Sequence, residues 1–327
     1  MVVFNGIHTL ADKFKGAVVT LGVYDGLHRA HMNIIQRVIA SAAECNARSL
    51  LITFTPHPRH VLGLNGADLH LLTTASEKIS ILQDLALDGI LFLTVDQKLL
   101  NMDDRTFVKE VLVDKLNVSK VIVGYDYHFG KDRRGKADRL VDYGEQFGFE
   151  AEIVPPIYFE NEPVRSSRIR ALLAQGAVAR SARFLNRYYS LTGKVVHGSG
   201  RGRDLGFPTA NLEVDSPEKM IPADGIYLTR CNIGGAEYFG MCNIGIRKTF
   251  NETVRVLEVH LLDAGDPELY GFELQIRFLE RLRDEIKFDS AEELVRQMQE
   301  DKNNCRLRIK KIKSEMEDRR NVTNERN

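Results

Sequence analysis

The sequence predicts an α/β doubly wound N-terminal domain followed by an antiparallel β-barrel C-terminal domain. Its 327 residues exceed the usual size of one hydrophobic core. Up to about residue 154, short β-branched runs alternate with longer amphipathic ones, whereas residues 190–280 carry short alternating segments separated by glycines. The first pattern is typical of a parallel sheet covered by helices, and the second is typical of a small barrel.

In the N-terminal half, short apolar runs predict buried strands, namely Ala17–Val23, Ser49–Phe54, Gly89–Val95, Lys120–Gly124 and Glu150–Val154. Between them, apolar residues keep the spacing of helices that bury one face: Ile35, Val38, Ile39 and Ala42, then Ile79, Leu82 and Leu85. Strands that alternate with helices in this way predict a parallel sheet.

The chain is helical in pattern from Ser166 to about Asn186, where we expect the hinge between the domains. Beyond it, predicted strands lie within 191–198, 225–235, 236–245, 254–263 and 271–282, and a helix covers about 290–302. We therefore place the domains at 1–183 and 184–310. The charged residues 311–327 are expected to form a frayed or disordered tail.

Composition favours a small-molecule partner. Lys and Arg number 45, as do Asp and Glu, so the formal net charge is zero, and we expect neither nucleic acid nor a membrane as partner. The scattered cysteines Cys45, Cys231, Cys242 and Cys305 have no metal-ligand spacing. With no leader-like N-terminal pattern, they indicate free thiols in the cytoplasm. We expect a monomer or a weak homo-oligomer.

The first candidate site follows the first predicted strand, in YDGLHRAH (Tyr24–His31). Parallel sheets bind ligands at this edge, and a helix N-terminus supplies N–H donors for phosphate. His28 and His31, three residues apart, can face one phosphate chain and donate to it as charge builds up. The spacing alone equally suits a loop histidine and a polar residue of the first helical turn.

Ordered segments carry a resemblance to prokaryotic FAD synthetases. GVYDGLHRAH (Gly22–His31) resembles the GxFDGxHxGH segment of the nucleotidyltransferase superfamily. TFTPHP, VGYDYHFGKDRRG and VRSSRIR, which begin at Thr53, Val123 and Val164, resemble later segments of FAD synthetases. The resemblance implies a nucleotidyltransferase-like domain that adenylylates FMN with ATP.

The same resemblance implies roles for individual residues of this domain. The implied catalytic residues are His28, His31 and Arg170, the ATP-phosphate contacts are Gly22, Asp25, Ser166 and Ser167, and the flavin contacts are His57, Asp126 and Phe129. Taken alone, Pro56-His57-Pro58 also suits a rigid turn, Phe129 a core aromatic, and the serines with Arg170 a plain helix cap with a solvated arginine.

Ala30 and Arg165 depart from this pattern, because the family has glycine and serine there. Alanine is costly at position 30 if φ is positive or phosphate approaches very closely, and harmless in a first helical turn. Ser166 and Ser167 can replace the hydroxyl missing at 165. The departures bear on the rate of adenylyl transfer more than on the fold.

The second candidate site is the glycine-rich segment HGSGRGRDLGFPTANL (His197–Leu212). Its small residues let the backbone approach an anion and its arginines bring positive charge; the implied ATP contacts are Gly198, Arg201, Arg203 and Gly206. A flexible turn between barrel strands would look the same, and the P-loop pattern is missing.

GFPTAN resembles the defining segment of riboflavin kinases, in which the threonine and asparagine, here Thr209 and Asn211, coordinate Mg²⁺ of Mg-ATP. LEVHL, followed by ELYG, resembles further segments of that family. Glu258 alternates with apolar residues on its strand and is otherwise an exposed strand residue. The resemblance makes it the base that accepts the proton of the riboflavin 5′-hydroxyl.

Further kinase-like segments are NIGIRKTFN (Asn243–Asn251), where Lys248 replaces proline, and LRDEIKF (Leu282–Phe288), from which Arg283 is an implied flavin contact. Asn186 and Tyr188 replace the glycine and proline of the family's hinge. Together the segments imply a bifunctional enzyme that converts riboflavin to FMN and FMN to FAD. A kinase with an impaired first domain and a non-catalytic flavin-binding regulator remain alternatives.

Overall fold

The computed structural model describes residues 1–61, 70–198, 200–248, 253–265 and 268–324. They form two compact units, Met1–Arg168 and Ile169–Asn327. The division falls inside a helix, Ser166–Ala174, earlier in the chain than the boundary predicted after residue 183.

A parallel sheet forms the centre of the first unit, with strands in the order β1-β4-β3-β2-β5-β8. These strands are β1 Val2–Asn5, β2 Val18–Leu21, β3 Ser49–Thr55, β4 Gly89–Thr94, β5 Lys120–Gly124 and β8 Glu150–Val154. Two short hairpins accompany it, formed by β6 His128–Phe129 with β7 Gly135–Lys136, and by β9 Tyr158–Phe159 with β10 Glu162–Pro163. Every strand predicted for this half is present, and β1 is additional.

Helices cover both faces of this sheet: α1 Arg29–Glu44, α2 Pro58–Val61, α3 Ala75–Leu82, α4 Gln97–Asn101, α5 Asp104–Phe107 and α6 Ala137–Phe147. A π-helical segment, Val108–Lys115, continues α5, and 3₁₀ turns lie at Ile7–Thr9, Asp12–Phe14 and Lys131–Arg133. Successive residues of β2 face opposite cores. Val18 packs with Val38 of α1, and Val19 packs with Phe107 and Leu112. Burial on both faces explains why the strands are continuous apolar runs.

The second unit is a closed antiparallel barrel in the order β11-β12-β15-β14-β13-β16. Its strands are β11 Tyr189–Val196, β12 Ala210–Val214, β13 Gly225–Ile233, β14 Ala236–Lys248, β15 Thr253–Leu261 and β16 Glu273–Arg283. The rings of Tyr227 and Phe278 meet edge to face at 5.3 Å and are fully buried. The barrel confirms the predicted fold class, with β12 as a strand that the sequence pattern did not single out.

The helices of this unit are α8 Val178–Leu185, α9 Arg201–Asp204 and α10 Ala291–Asn324; α7, Ser166–Ala174, contains the division between the units. Met298, Cys305 and Ile309 of α10 pack on Ile226 and Met241 of the barrel. The helix extends well beyond the predicted 290–302, through most of the segment expected to be a disordered tail.

Within the described residues, no helix combines the length and the apolar character that crossing a membrane requires.

Candidate active sites

The turn that joins β2 to α1 has an unusual backbone. Tyr24 and Leu27 have φ values of 49° and 39°, and Gly26 between them has 88°. Residues other than glycine rarely adopt this left-handed conformation, and such strain is concentrated at functional sites. A side chain at Gly26 would also place its Cβ 2.8 Å from Leu72. The turn therefore holds a shape that the chain would not adopt by itself.

Asp25 stabilises this turn. Its buried carboxylate accepts hydrogen bonds from the backbone N–H groups of Leu72 at 2.9 Å and Thr73 at 3.0 Å. The Gly26 N–H in turn donates to Thr73 Oγ1 at 2.9 Å. The carboxylate thus holds the turn through neighbouring backbone, and the predicted contact of Asp25 with ATP phosphate stays a prediction.

Lys78, which the sequence analysis missed, supports the same turn. Its Nζ donates to the Val23 carbonyl at 2.7 Å, and Thr53 Oγ1 donates to that oxygen at 3.0 Å. Burial lowers the pKa of Lys78 to about 8, against the opposing effect of the Asp25 carboxylate. Lys78 lies among helical residues with ordinary spacing, so its pattern gave no sign that it would be buried.

His28 and His31 lie together at the start of α1. Their rings stack with centroids 3.6 Å apart, and His28 Nδ1 accepts from the His31 N–H at 3.4 Å as the helix N-cap. Because Nδ1 is the acceptor, the proton of neutral His28 lies on Nε2, which can donate to an anion. Ala30 lies within helical α1, so position 30 does not require a positive φ.

The segment before α7 returns to the same turn. Ser166 Oγ donates to the Asp25 carbonyl at 2.8 Å, so its hydroxyl fixes the turn, while Ser167 is exposed. Arg165 is exposed, donates to the Tyr125 hydroxyl and lies 5.8 Å from that ring. Arg170 follows Ser166 by one turn of α7 and belongs to the second unit.

The predicted flavin contacts of this half lie in different environments. Half-buried His57 follows β3, and exposed Asp126 follows β5; both strands neighbour β2. Phe129 is buried in the core, 5.9 Å from the Phe107 ring, which favours its core-packing alternative. Gly22 follows β2 directly; its N–H donates to the Ile52 carbonyl at 3.1 Å, and a Cβ there would meet the Tyr24 ring at 3.0 Å.

In the barrel, strand register brings polar side chains of three strands into one row. Asn211 of β12 pairs with Glu258 of β15, and Glu258 pairs on its other side with Asn243 of β14. Directly paired residues have Cβ atoms about 4.5–5.5 Å apart on one face of a sheet. We call Asn211, Glu258 and Asn243 the polar row. Asn243 was not among the predicted site residues.

The polar row lines a cavity of about 330 Å³ between the barrel and α10. Apolar side chains form much of its wall, among them Ile226, Met241, Val256, Phe288, Leu294 and Met298. A second cavity of about 70 Å³ is lined by Gly198, Arg203 and Tyr270. Gly200, Thr209 and Asn211 line both cavities, so both predicted metal ligands lie where the cavities meet.

The glycine-rich loop packs closely on these ligands. A Cβ at Gly198 would lie 2.0 Å from Asn211 Nδ2, and one at Gly202 would lie 3.1 Å from Thr209 Oγ1. Gly206 has a φ of 79°. Steric contact and backbone conformation therefore require glycine at these positions, and the alternative of a merely flexible turn does not account for them. The predicted contact Arg203 is exposed, and the side chain of Arg201 lies outside the described part, as does that of Lys248.

His260 holds the turn that presents Thr209. Its Nδ1 lies 2.9 Å from the Pro208 carbonyl and its ring meets Phe207 edge to face. Nδ1 is therefore the donor, since a carbonyl only accepts. Burial lowers the pKa of His260, against the effect of this hydrogen bond. The strand pattern predicted that His260 lies on the same strand as Glu258, but it did not predict the hydrogen bond to Pro208.

Arg283, the predicted flavin contact, forms an ion pair with buried Asp301 of α10. Its Nη2 and Nε lie 2.6 and 3.0 Å from Asp301 Oδ2. The pair joins the barrel to α10 at the wall of the larger cavity. Glu285 lines the same cavity, and its pKa is raised by burial and by the carboxylates of Asp224 and Glu258. Neither Asp301 nor Glu285 was predicted; only the packing of α10 brings Asp301 here, whereas Glu285 follows β16 and lies against Gly245 of β14.

Comparison with known proteins yields matches to both halves. A family model for FAD synthetase matches residues 10–168, and one for riboflavin kinase matches residues 185–309. A bifunctional riboflavin kinase/FMN adenylyltransferase from Pseudomonas fluorescens is 35% identical over 296 residues, which are 90% of this chain and 93% of that protein. A protein so named from Escherichia coli K12 is 30% identical, over 92% of this chain and 96% of its own.

Among solved structures, one described as a macrolide-efflux protein from Streptococcus pneumoniae has a TM-score of 0.85 and 28% identity, and it covers 94% of this chain and 99% of its own. The two family matches, the relatives and the fold confirm the predicted family, fold class and bifunctional activity. By sequence and by fold, the chain belongs to the family of bifunctional riboflavin kinases/FMN adenylyltransferases.

Proposed function

We propose that the barrel phosphorylates riboflavin with Glu258 as the base, and that the turn around His28 and His31 serves adenylyl transfer to FMN. One observation carries the kinase assignment: Thr209 and Asn211 line two cavities, and Glu258 faces the larger one. Phosphoryl transfer requires this order, with donor on one side, acceptor on the other and charge neutralisation between them.

The residues around Thr209 and Asn211 fit a magnesium ion. Their hydroxyl and amide oxygens are the hard ligands that Mg²⁺ accepts alongside phosphate and water. Gly198 and Gly202 leave room at both side chains that a Cβ would fill. When bound there with ATP, Mg²⁺ would neutralise charge on the transferred phosphate.

The residues that line the larger cavity suggest how the protein carries out the kinase step. The apolar wall under α10 suits the flavin ring, which leaves the ribityl chain to reach the polar row. Glu258 accepts the proton of the 5′-hydroxyl while that oxygen bonds to the γ-phosphorus and ADP departs. Pairing with Asp301 neutralises Arg283, so we assign Arg283 to shaping the flavin wall.

In the first unit, the fixed turn presents N–H groups and His28 Nε2 to the ATP phosphates. The FMN phosphate attacks the α-phosphorus, and pyrophosphate leaves. His28 and His31 stabilise the charge that develops on the α-phosphate, and Ser167 and the helix N-terminus are assigned to the remaining phosphates. A phosphate contact by Arg170 stays a prediction of the family resemblance. His57 and Asp126, which follow neighbouring strands, are assigned to the flavin.

Product analysis with riboflavin and with FMN as separate substrates tests both assignments. With Mg-ATP, riboflavin should give FMN and then FAD, and FMN should give FAD with pyrophosphate. A chelator should stop FMN formation. FMN that accumulates without FAD would indicate an impaired first unit, and flavin binding without ATP consumption would indicate a regulator.

We also propose that the enzyme works on small molecules in the cytoplasm as a monomer or weak homo-oligomer, without nucleic acid. The free thiols Cys231, Cys242 and Cys305, all buried, support a reducing compartment. Sedimentation with and without flavin and Mg-ATP measures the oligomeric state.

A further inference from the structure

Asn243 has a buried polar atom that the fold itself does not satisfy. The residue is half-buried, and within the described part of the chain no donor reaches its Oδ1. Buried amide oxygens are nearly always hydrogen-bonded, and an exception at a cavity wall calls for an explanation. Because Asn243 lines the 330 Å³ cavity beside Glu258, a bound ligand can supply the missing donor.

The chemistry of the atom narrows the choice of ligand. An amide oxygen accepts hydrogen bonds and cannot donate them. Ionised phosphate oxygens likewise only accept, so a phosphate group cannot be the partner of Asn243 Oδ1. The partner of Asn243 Oδ1 is therefore a donor such as a hydroxyl group. In the family's kinase reaction, the ribityl chain of riboflavin carries hydroxyls next to the one that reacts.

The order of the polar row gives the direction of that chain. Asn211, with the proposed metal, lies on one side of Glu258, and Asn243 lies on the other. Beyond Asn243, the next paired residue is Ile226, which is part of the apolar wall. A substrate whose terminal hydroxyl is at Glu258 thus passes Asn243 on its way to the apolar wall.

We propose that Asn243 is a positioning residue that accepts a hydrogen bond from the riboflavin 4′-hydroxyl and so orients the 5′-hydroxyl towards Glu258. The inference rests on the proposed kinase site. It assigns to Asn243 the recognition of the ribityl chain, with no part in binding ATP.

The test combines Asn243→Ala with riboflavin and with 4′-deoxyriboflavin. For the wild type, loss of this hydroxyl should lower kcat/KM by about tenfold, as expected for one hydrogen bond at a buried acceptor. Asn243→Ala should show a similar loss with riboflavin, an unchanged KM for ATP, and no further loss with the deoxy analogue. Asn232→Ala, in β13 outside the cavity lining, is the matched control and should behave as the wild type.

Asn243→Asp supplies an independent readout. It retains a side-chain oxygen that can accept the hydrogen bond. The ratio of kcat/KM for riboflavin to kcat/KM for 4′-deoxyriboflavin should therefore stay near the wild-type ratio in Asn243→Asp, while Asn243→Ala brings it close to one. FAD formation from supplied FMN and the melting temperature verify that each variant is folded.

The inference would be overturned if removal of the 4′-hydroxyl lowered kcat/KM equally in the wild type and in Asn243→Ala, or if Asn243→Ala raised the KM for ATP. If Asn243→Ala does not fold, Asn243→Asp decides, because the absence of a preference for riboflavin over 4′-deoxyriboflavin in the wild type, or its loss in Asn243→Asp, would overturn the inference. A wild type that makes no FMN from riboflavin would instead refute the kinase proposal, so the two failures are distinguishable.

Discussion

In the first unit, the residues proposed for catalysis lie in a turn and at a helix start, whereas in the barrel they lie on paired strands. The turn between β2 and α1 contains left-handed Tyr24 and Leu27 and is held from outside by Thr73, Lys78 and Ser166. The polar row is held by the strand ladder, which fixes the spacing of Asn211, Glu258 and Asn243. The first site therefore depends on several distant supports, and the second depends on register and on one glycine-rich loop.

We expect the largest effect from removing the proposed base, because this change should stop the kinase reaction and spare adenylyl transfer. Glu258→Gln should lower FMN formation by about 10³-fold and leave FAD formation from supplied FMN unchanged. Glu285→Gln is the matched control, because this second carboxyl lines the same cavity, and it should have a much smaller effect. Equal loss in both variants, or a loss of FAD formation, would contradict the assignment of Glu258.

The converse change is His31→Ala, which removes one of the stacked imidazoles. FAD formation from FMN should fall by about 10²–10³-fold while FMN formation persists, as measured by product analysis. His8→Ala, at an exposed histidine of the same unit, should be neutral. A full rate of FAD formation in His31→Ala would place adenylyl transfer elsewhere.

Gly198→Ala tests the dependence of the kinase on its loop. The new Cβ would lie 2.0 Å from Asn211 Nδ2 and would displace that side chain, so FMN formation should fall by about 10²-fold. Gly124→Ala, whose Cβ would make only ordinary contacts at 3.4 Å with Asp126 and Ile34, controls for the mutation type. Unaltered kinase activity in Gly198→Ala would exclude Asn211 from the metal site.

Acidification should destabilise the barrel through His260. Burial lowers the pKa of His260 in the fold, so below its ordinary value of about 6.5 the unfolded chain binds more protons than the folded one. The part of the free energy of unfolding that depends on neutral His260 is fully present above that pH and is lost as the pH falls towards the lowered pKa. The melting temperature should therefore fall less between about pH 7.5 and pH 5.5 in His260→Asn than in the wild type. Equal slopes would show that another group titrates.

Arg165→Ser, which restores the residue of the family pattern, should have the smallest effect. Arg165 is exposed and holds the Tyr125 hydroxyl, and such contacts contribute little in water. FAD formation should change by less than about threefold, and stability by less than about 0.5 kcal/mol. A tenfold loss would show that Arg165 contacts a substrate phosphate.

Much of the fold was predictable because burial leaves a regular trace in the sequence. Strands β2 to β5 are apolar runs because both faces of the sheet are covered, and α1 shows the spacing of its buried face. Strand β1 was missed because it is short and largely exposed. The length of α10 was missed because the few apolar residues of its continuation, Cys305, Ile309 and Ile312, which pack on the barrel, are surrounded by charged residues in the sequence.

The residues of the candidate sites likewise fall into those that the sequence predicted and those that only the fold revealed. Glu258, Thr209 and Asn211 were found because they belong to recognisable segments. Asn243 belongs to such a segment, yet only the pairing of β14 with β15 places it beside Glu258. Lys78 and Asp301 have ordinary surroundings in sequence, and their burial depends on residues far along the chain.

By itself, the sequence determined the family, the two architectures and the residues that can perform chemistry, because these depend on local pattern and residue type. Tertiary structure alone decided which polar groups are committed to the fold and which face a cavity. Asp25 and Arg283, both predicted as ligand contacts, are engaged by backbone N–H groups and by Asp301, whereas Asn243 Oδ1 meets no donor among the residues that the structure describes. Hydrogen bonds between residues distant in the chain form only after packing, so no local pattern reveals them.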